Sequence, residues 1–149
     1  MIFSISLLVA HSDYHFAGTY KNFSEYAKRN LSDKKTWFVG HWGFQYYMER
    51  NGFKALDFLK AKLEKDDLII VPISNTNVYP PERLQTLMKI IESDRVFVDF
   101  KRGFFSLMHK AGFYLSTFGP LPYAPHAQFS ETYQLYRVTQ AIEGRLLDR

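Results

Sequence analysis

Apolar side chains recur along this chain at two spacings, and the switch between the spacings marks out the elements. From Thr19, the residues Tyr20, Phe23, Ala27 and Leu31 fall on one face at helical spacing. They predict a helix to about Leu31, with Thr19 after Gly18 as its N-cap. Residues 36–39 are short, β-branched and aromatic and stop at Gly40, which reads as a strand. Residues 42–51 carry Phe44, Tyr47 and Met48 on one side and end at Gly52, which suits the left-handed residue past a helix end. Leu56, Leu59 and Leu63 predict a short third helix, and Lys65, Asp66 and Asp67 a solvated turn into residues 68–73. That apolar run lacks alternation, as a strand buried on both faces of a parallel sheet does.

Pro80 and Pro81 open a further predicted helix on which Leu84, Leu87, Met88 and Ile91 share a face. Residues 96–100 read as the next strand. Residues 113–116 and 133–139 read as two more, antiparallel at a sheet edge around the loop 119–125. Strands and helices alternating over connections of this length imply right-handed crossovers and a sheet covered on both sides. The expected fold class is therefore α/β: a Rossmann-like three-layer sandwich with a mainly parallel sheet and antiparallel edge strands. No repeat or linker divides it, so residues 13–149 are expected to form one soluble domain.

Composition narrows the function classes. Apolar residues make up 46% and aromatics 17% of 149 residues, enough to bury a core and to argue against disorder. Such an aromatic share also fits rings left over for a membrane interface, a sugar or another domain. The absence of cysteine excludes disulfides, thiolate metal sites and a cysteine nucleophile. The net charge of +4 is carried by scattered Lys and Arg, not by a stripe, so no nucleic-acid partner is expected. Weak attraction to anionic lipid fits the same charge. The apolar start, residues 2–10, is about half the length that spans a bilayer, and no basic residue or cleavage site marks it as a signal peptide. Residues 1–12 thus read as an apolar segment that is a buried helix or strand, an artefactual start, or the end of a transmembrane helix.

The sharpest local feature is GHWGFQYYMERNG, from Gly40 to Gly52, where a strand hands over to a helix. Ligands of open α/β sheets gather at that junction, where helix amides favour an anionic group. His41, Trp42, Gln45 and Tyr46 can supply a stacking face and hydrogen bonds there. The competing reading makes Trp42 and Tyr47 core residues and His41 a helix cap. The spacing matches neither a dinucleotide fingerprint nor a phosphate loop, and no cofactor is implied. After the next strand, Ser74 and Asn75 lie in a polar loop suited to sugar or phosphate hydrogen bonding, or simply to turn formation.

His11 and His15 stand four apart and on a helix face one way, as the start of a metal site would, but no HExxH glutamate accompanies them, so the segment reads as solvated or interfacial and no metal is expected. Asp66 and Asp67 read as a solvated turn and not as a catalytic pair. No nucleophile elbow is present, and His109 and His126 are lone histidines. Asn22-Phe23-Ser24 and Asn30-Leu31-Ser32 match the glycosylation acceptor pattern, which arises often by chance.

One resemblance reaches further. GHWGFQYYMERNG, preceded by DYHFAGTYKNFSEYAK from Asp13 and followed by DDLIIVP from Asp66 and FGPLPYAP from Phe118, resembles the C-terminal region of bacterial membrane glycosyltransferases. These are the enzymes related to protein O-mannosyltransferases and aminoarabinose transferases, and the likeness covers residues 2–138. It implies a polytopic enzyme that transfers a sugar from a polyprenyl-phosphate donor on the outer face of the membrane. The acidic catalytic residues of that family lie in an early loop with no counterpart here, so the resemblance carries over no catalytic residue. It further implies that residues 1–12 end a transmembrane helix and that residues 13–149 form an extracytoplasmic, periplasmic domain. The implied partners are the transmembrane portion of the same enzyme or the membrane surface, with a glycan or lipid-linked sugar as ligand. The alternatives are a free-standing Rossmann-like binding protein for a small anionic ligand and a small hydrolase using His109 or His126.

Overall fold

The computed structural model describes residues 2–73, 82–86, 88–93, 114–115, 119–120 and 131–144. Its first element is one unbroken helix, α1 (Ile2–Leu31), which overruns the N-terminus expected at Thr19. Instead of capping, the Thr19 hydroxyl donates back to the Phe16 carbonyl at 2.7 Å, and Ser24 does the same to Lys21. Both hydroxyls are thereby satisfied inside the helix and give the chain no reason to leave it. Tyr20, Phe23 and Ala27 are buried as their spacing predicts, whereas Phe3, Ile5, Leu7, Leu8 and Tyr14 are exposed. Among the described residues no helix is long and apolar enough to cross a membrane.

The chain continues through β1 (Thr36–Phe38), α2 (Trp42–Arg50), β2 (Lys54–Ala55), β3 (Ala61–Leu63) and β4 (Leu68–Pro72). Next come α3 (Glu82–Thr86), β5 (Met88–Ser93), β6 (Tyr114–Leu115), β7 (Gly119–Pro120), β8 (Tyr133–Val138) and β9 (Ile142–Gly144). α2 closes as its sequence predicts. Gly52 sits at φ 92° and donates to Glu49, while Phe53 donates to Met48. This is the Schellman pattern, and Phe53 and Met48 join one apolar cluster beneath it.

The main sheet has five strands in the order β2-β1-β4-β8-β5. β2, β1 and β4 pair in parallel, and β8 runs antiparallel to both β4 and β5, so four strands point one way and one against them. The fold is thus mixed α/β with a mostly parallel sheet, but the antiparallel strand is not at the edge. β8 sits inside the sheet because β4, buried along its whole length, needs a hydrogen-bonding neighbour on its second side. β6 and β7 form a separate antiparallel pair, and β3 pairs with β9.

Alternation along β1, β4 and β8 sends side chains to two cores. Phe38, Ile70 and Tyr133 meet Tyr20, Phe23, Phe44 and Met48 on the face covered by α1 and α2. Val39, Ile69, Val71 and Val138 meet Leu56, Leu63, Leu84 and Ile142 on the other face. Among the described residues that second face is covered by the β3–β9 ribbon, the Leu56 loop and the five-residue α3, not by a layer of long helices.

Three further expectations change. Leu56, Leu59 and Leu63 do not form a helix. Leu56 and Leu63 are buried from either side of a turn, while Leu59 at its tip is 52% exposed. Their spacing fits two ends of a loop returning to one core as well as it fits helical turns. The helix expected through Ile91 stops at Thr86, and Met88 and Ile91 lie in β5, which pairs with β8. Asp67 is not part of a solvated turn. It is 4% exposed, and its Oδ2 accepts from the Trp37 indole at 2.9 Å and from the Glu64 amide at 3.0 Å. Of residues 113–116 only 114–115 are described, as β6, and the strand expected at 96–100 lies outside the described residues.

Phe44 is fully buried, with the rings of Tyr20, Phe23, Phe38 and Tyr133 around it. Truncating it to Ala should cost about 3–5 kcal/mol in urea unfolding, as for other buried aromatics. A loss below about 1 kcal/mol would mean that this cluster does not hold α2 to the sheet.

Candidate functional site

β1 leads into α2 through an unusual turn. Gly40 has φ 152° and Trp42 has φ 51°, a left-handed value that is uncommon for a bulky side chain. His41 is extended, and its carbonyl accepts the first helical bond from Gln45 at 3.3 Å. Its imidazole makes no capping bond, so the reading of His41 as a side-chain cap is set aside. The reading of Trp42 as core is set aside too, since its side chain is 76% exposed. Tyr47 does pack against the helical-face core.

The turn brings the expected residues onto one outward strip. Tyr46, 57% exposed, stands one helical turn after Trp42, and its hydroxyl accepts from Arg50 Nη1 at 3.3 Å another turn on. Beside them the Gln45 amide donates to Glu49 Oε1 at 2.8 Å. Trp42, Gln45, Tyr46, Glu49 and Arg50 thus follow one outward face of α2, with Trp42 and Tyr46 exposed on it and His41 immediately before its first residue. Such a surface can stack on the apolar face of a sugar ring while hydrogen-bonding its hydroxyls. Ser74 and Asn75 lie outside the described residues.

Beneath this strip lies a group that sequence reasoning missed. Glu131 is 1% exposed, with Oε2 accepting from the Tyr20 hydroxyl at 3.4 Å and Oε1 from the Thr132 amide at 3.1 Å. Tyr20 also closes on α2, where a Cβ added at Gly43 would come within 3.5 Å of its ring. Tyr133, paired with Pro72 at the carboxyl end of β4, stacks on Phe23 with ring centroids 3.6 Å apart. Among the described residues its buried hydroxyl has no hydrogen-bond partner, and the nearby Thr19 hydroxyl donates to the Phe16 carbonyl. Glu131 has no local signature, because it sits in a polar stretch ahead of a strand. Only the inward face of α1, read from Tyr20 and Phe23, pointed toward the place.

Among the described residues a cavity of 310 Å³ lies at the opposite, amino end of the strands, with Lys34, Lys35, Thr36, Asn51 and Lys54 in its wall. Lys35 there contacts Glu64 Oε1 at 3.0 Å and Asp67 Oδ2 at 3.5 Å, and the Glu64 bond raises its pKa. Among the described residues no group of three or more His, Asp or Glu is placed to hold a metal ion. Compared with known protein families, with curated proteins and with solved structures, the chain has no match in any of the three.

Burial pushes the Tyr133 phenol well above its ordinary value of 10, repulsion from Glu131 adds to this, and Thr19 opposes it. The folded state therefore keeps a proton that the unfolded chain releases near pH 10, so this stability is whole below that pH and is lost above it. Tyr133→Phe should keep neutral-pH stability within about 1 kcal/mol, because the lost hydroxyl has no partner. It should also flatten the fall in stability above about pH 10 in urea titrations. An unchanged alkaline slope would show that Tyr133 binds its proton equally in the folded and unfolded states.

Proposed function

We propose that this chain is the extracytoplasmic domain, on the periplasmic face, of a membrane glycosyltransferase that draws on a polyprenyl-phosphate sugar. It caps the cavity or recognises sugar or acceptor, and the reacting carboxylates belong to the membrane-embedded portion. The observation that carries this reading is the division of α1. From Thr19 onward its inner face is buried in the core, whereas Phe3, Ile5, Leu7, Leu8 and Tyr14 are bare. Residues 2–12 contain no Asp, Glu, Lys or Arg. An uncharged helical stretch with exposed Phe, Ile and Leu is suited to hydrocarbon or to other membrane helices, and it costs free energy in water.

Direction supports the same reading. The Leu31 carbonyl accepts from Thr36 at the amino end of β1, and Tyr20 reaches Glu131 and Gly43 at the carboxyl end of the parallel strands. α1 thus runs against those strands, and its bare half projects from the end that carries Trp42 and Tyr46. A sugar-stacking strip and an apolar anchor on one end suit a domain seated over a membrane cavity. The Rossmann-like three-layer arrangement of the fold belongs to this proposal as well. A second reading, a binding protein for a small anion, is favoured by the lysine-walled cavity, which lies at the end away from the projecting helix.

Flotation with phosphatidylglycerol vesicles carrying a polyprenyl-phosphate sugar tests the proposal. Leu7→Ser with Leu8→Ser should weaken association roughly 100-fold, if each side chain contributes about 1.5 kcal/mol on burial. Trp42→Ala with Gln45→Ala should leave plain-vesicle association intact and remove the added affinity for the lipid-linked sugar. Sugar transfer by the purified chain alone, or vesicle binding indifferent to residues 7 and 8, would overturn it. Tight binding of free phosphate esters that is lost on changing Lys34 and Lys54 to Ala would instead establish the second reading.

A further inference from the structure

We propose that His11 and His15 form a chelating site for one borderline divalent cation, of the class of Zn²⁺, Ni²⁺ or Cu²⁺. Their Nε2 atoms are 3.2 Å apart, and the rings lie at 55° with centroids 4.4 Å apart. Two Zn–N bonds of about 2.0–2.1 Å meeting at a tetrahedral angle hold their nitrogens about 3.3 Å apart, so the pair already has the bite of a single ion. The i, i+4 spacing on α1 sets this separation, because such residues sit one above the other on a helix face. Chelation needs both rings neutral, with the proton on Nδ1 and the Nε2 lone pairs turned to the metal.

Both imidazoles are exposed, so an ion reaches them without opening the fold. The helix holds the two rings side by side, and on binding the proton of the Nε2–H···Nε2 hydrogen bond between them moves to Nδ1 while two bonds to the ion replace that bond. Two protein ligands leave coordination positions open for water or for an oxygen donor from another molecule. The pair stands between the bare apolar turns of α1 and Thr19, one turn beyond His15 and the first residue buried among those described. An ion there ties together the turn at which the helix leaves the domain. The inference rests on the imidazole geometry alone and is independent of the glycosyltransferase reading.

Calorimetric titration of Zn²⁺ into the purified chain, with electron paramagnetic resonance of the Cu²⁺-loaded form, provides the test. One saturable site with two imidazole nitrogens on copper is expected. His11→Ala and His15→Ala should each weaken binding at least about 10-fold, or about 1.4 kcal/mol. His15→Ala combined with Ala17→His keeps the number of imidazoles but points them apart on the helix, and it should bind as weakly as the single variants. Since all three positions are exposed, circular dichroism should show an unaltered fold in each variant. Absence of saturable uptake, or unchanged affinity in any of the three variants, would overturn the proposal.

Discussion

β4 is the element that dictates how the rest is arranged. Its five residues, Leu-Ile-Ile-Val-Pro, are all buried and offer no polar side chain. Each backbone amide and carbonyl must therefore be met by a neighbouring strand, and each face by apolar partners. β1 satisfies one edge from nearby sequence. β8 satisfies the other from near the end of the chain, which draws an antiparallel strand into the middle of the sheet. On the faces, α1 and α2 cover Ile70, and the ribbon with Leu84 covers Ile69 and Val71.

The same demand assembles the polar cluster. By drawing β8 against β4, it carries Glu131 and Tyr133 under the N-terminal turn of α2 and against Tyr20. Residues separated by 111 positions thus meet in one buried group. The opposite end of the strands has another character. Asp67 there gathers Trp37, the Glu64 amide and Lys35, tying the turn before β4 to β1 with a buried carboxylate whose contacts come from both sides. A carboxylate withdrawn from water to this degree is retained only where such donors surround it.

What the sequence disclosed follows from how local each signal was. Residues 42–52 and 68–72 carry their own boundary chemistry, a left-handed glycine and an unbroken apolar run, and both form as expected. The partnering of those elements depends on the whole chain, so β8 was foreseen as a strand but placed at the wrong position in the sheet. Thr19 was misread because a hydroxyl that caps a helix can equally fold back within one, and Phe16 decides between them. Leucines at 56, 59 and 63 fit either a helix or a bend, and the ribbon partner β9, which settles the matter, arrives only at Ile142. The position of His41, Trp42, Gln45 and Tyr46 around the start of α2 is local and follows from their closeness in sequence. Glu131 was not legible, since its surroundings are made entirely by distant segments.

α1 has a mechanical consequence. Thirty residues without proline make an unbroken helix about 45 Å long, clamped by aromatic rings along its inner portion, with Gly18 as its weakest helix former where the bare half begins. Whatever grips its outer portion thereby sets the bearing of the Trp42 strip. Because the helix is continuous from that outer portion into the aromatic cluster, the two are joined without an intervening loop.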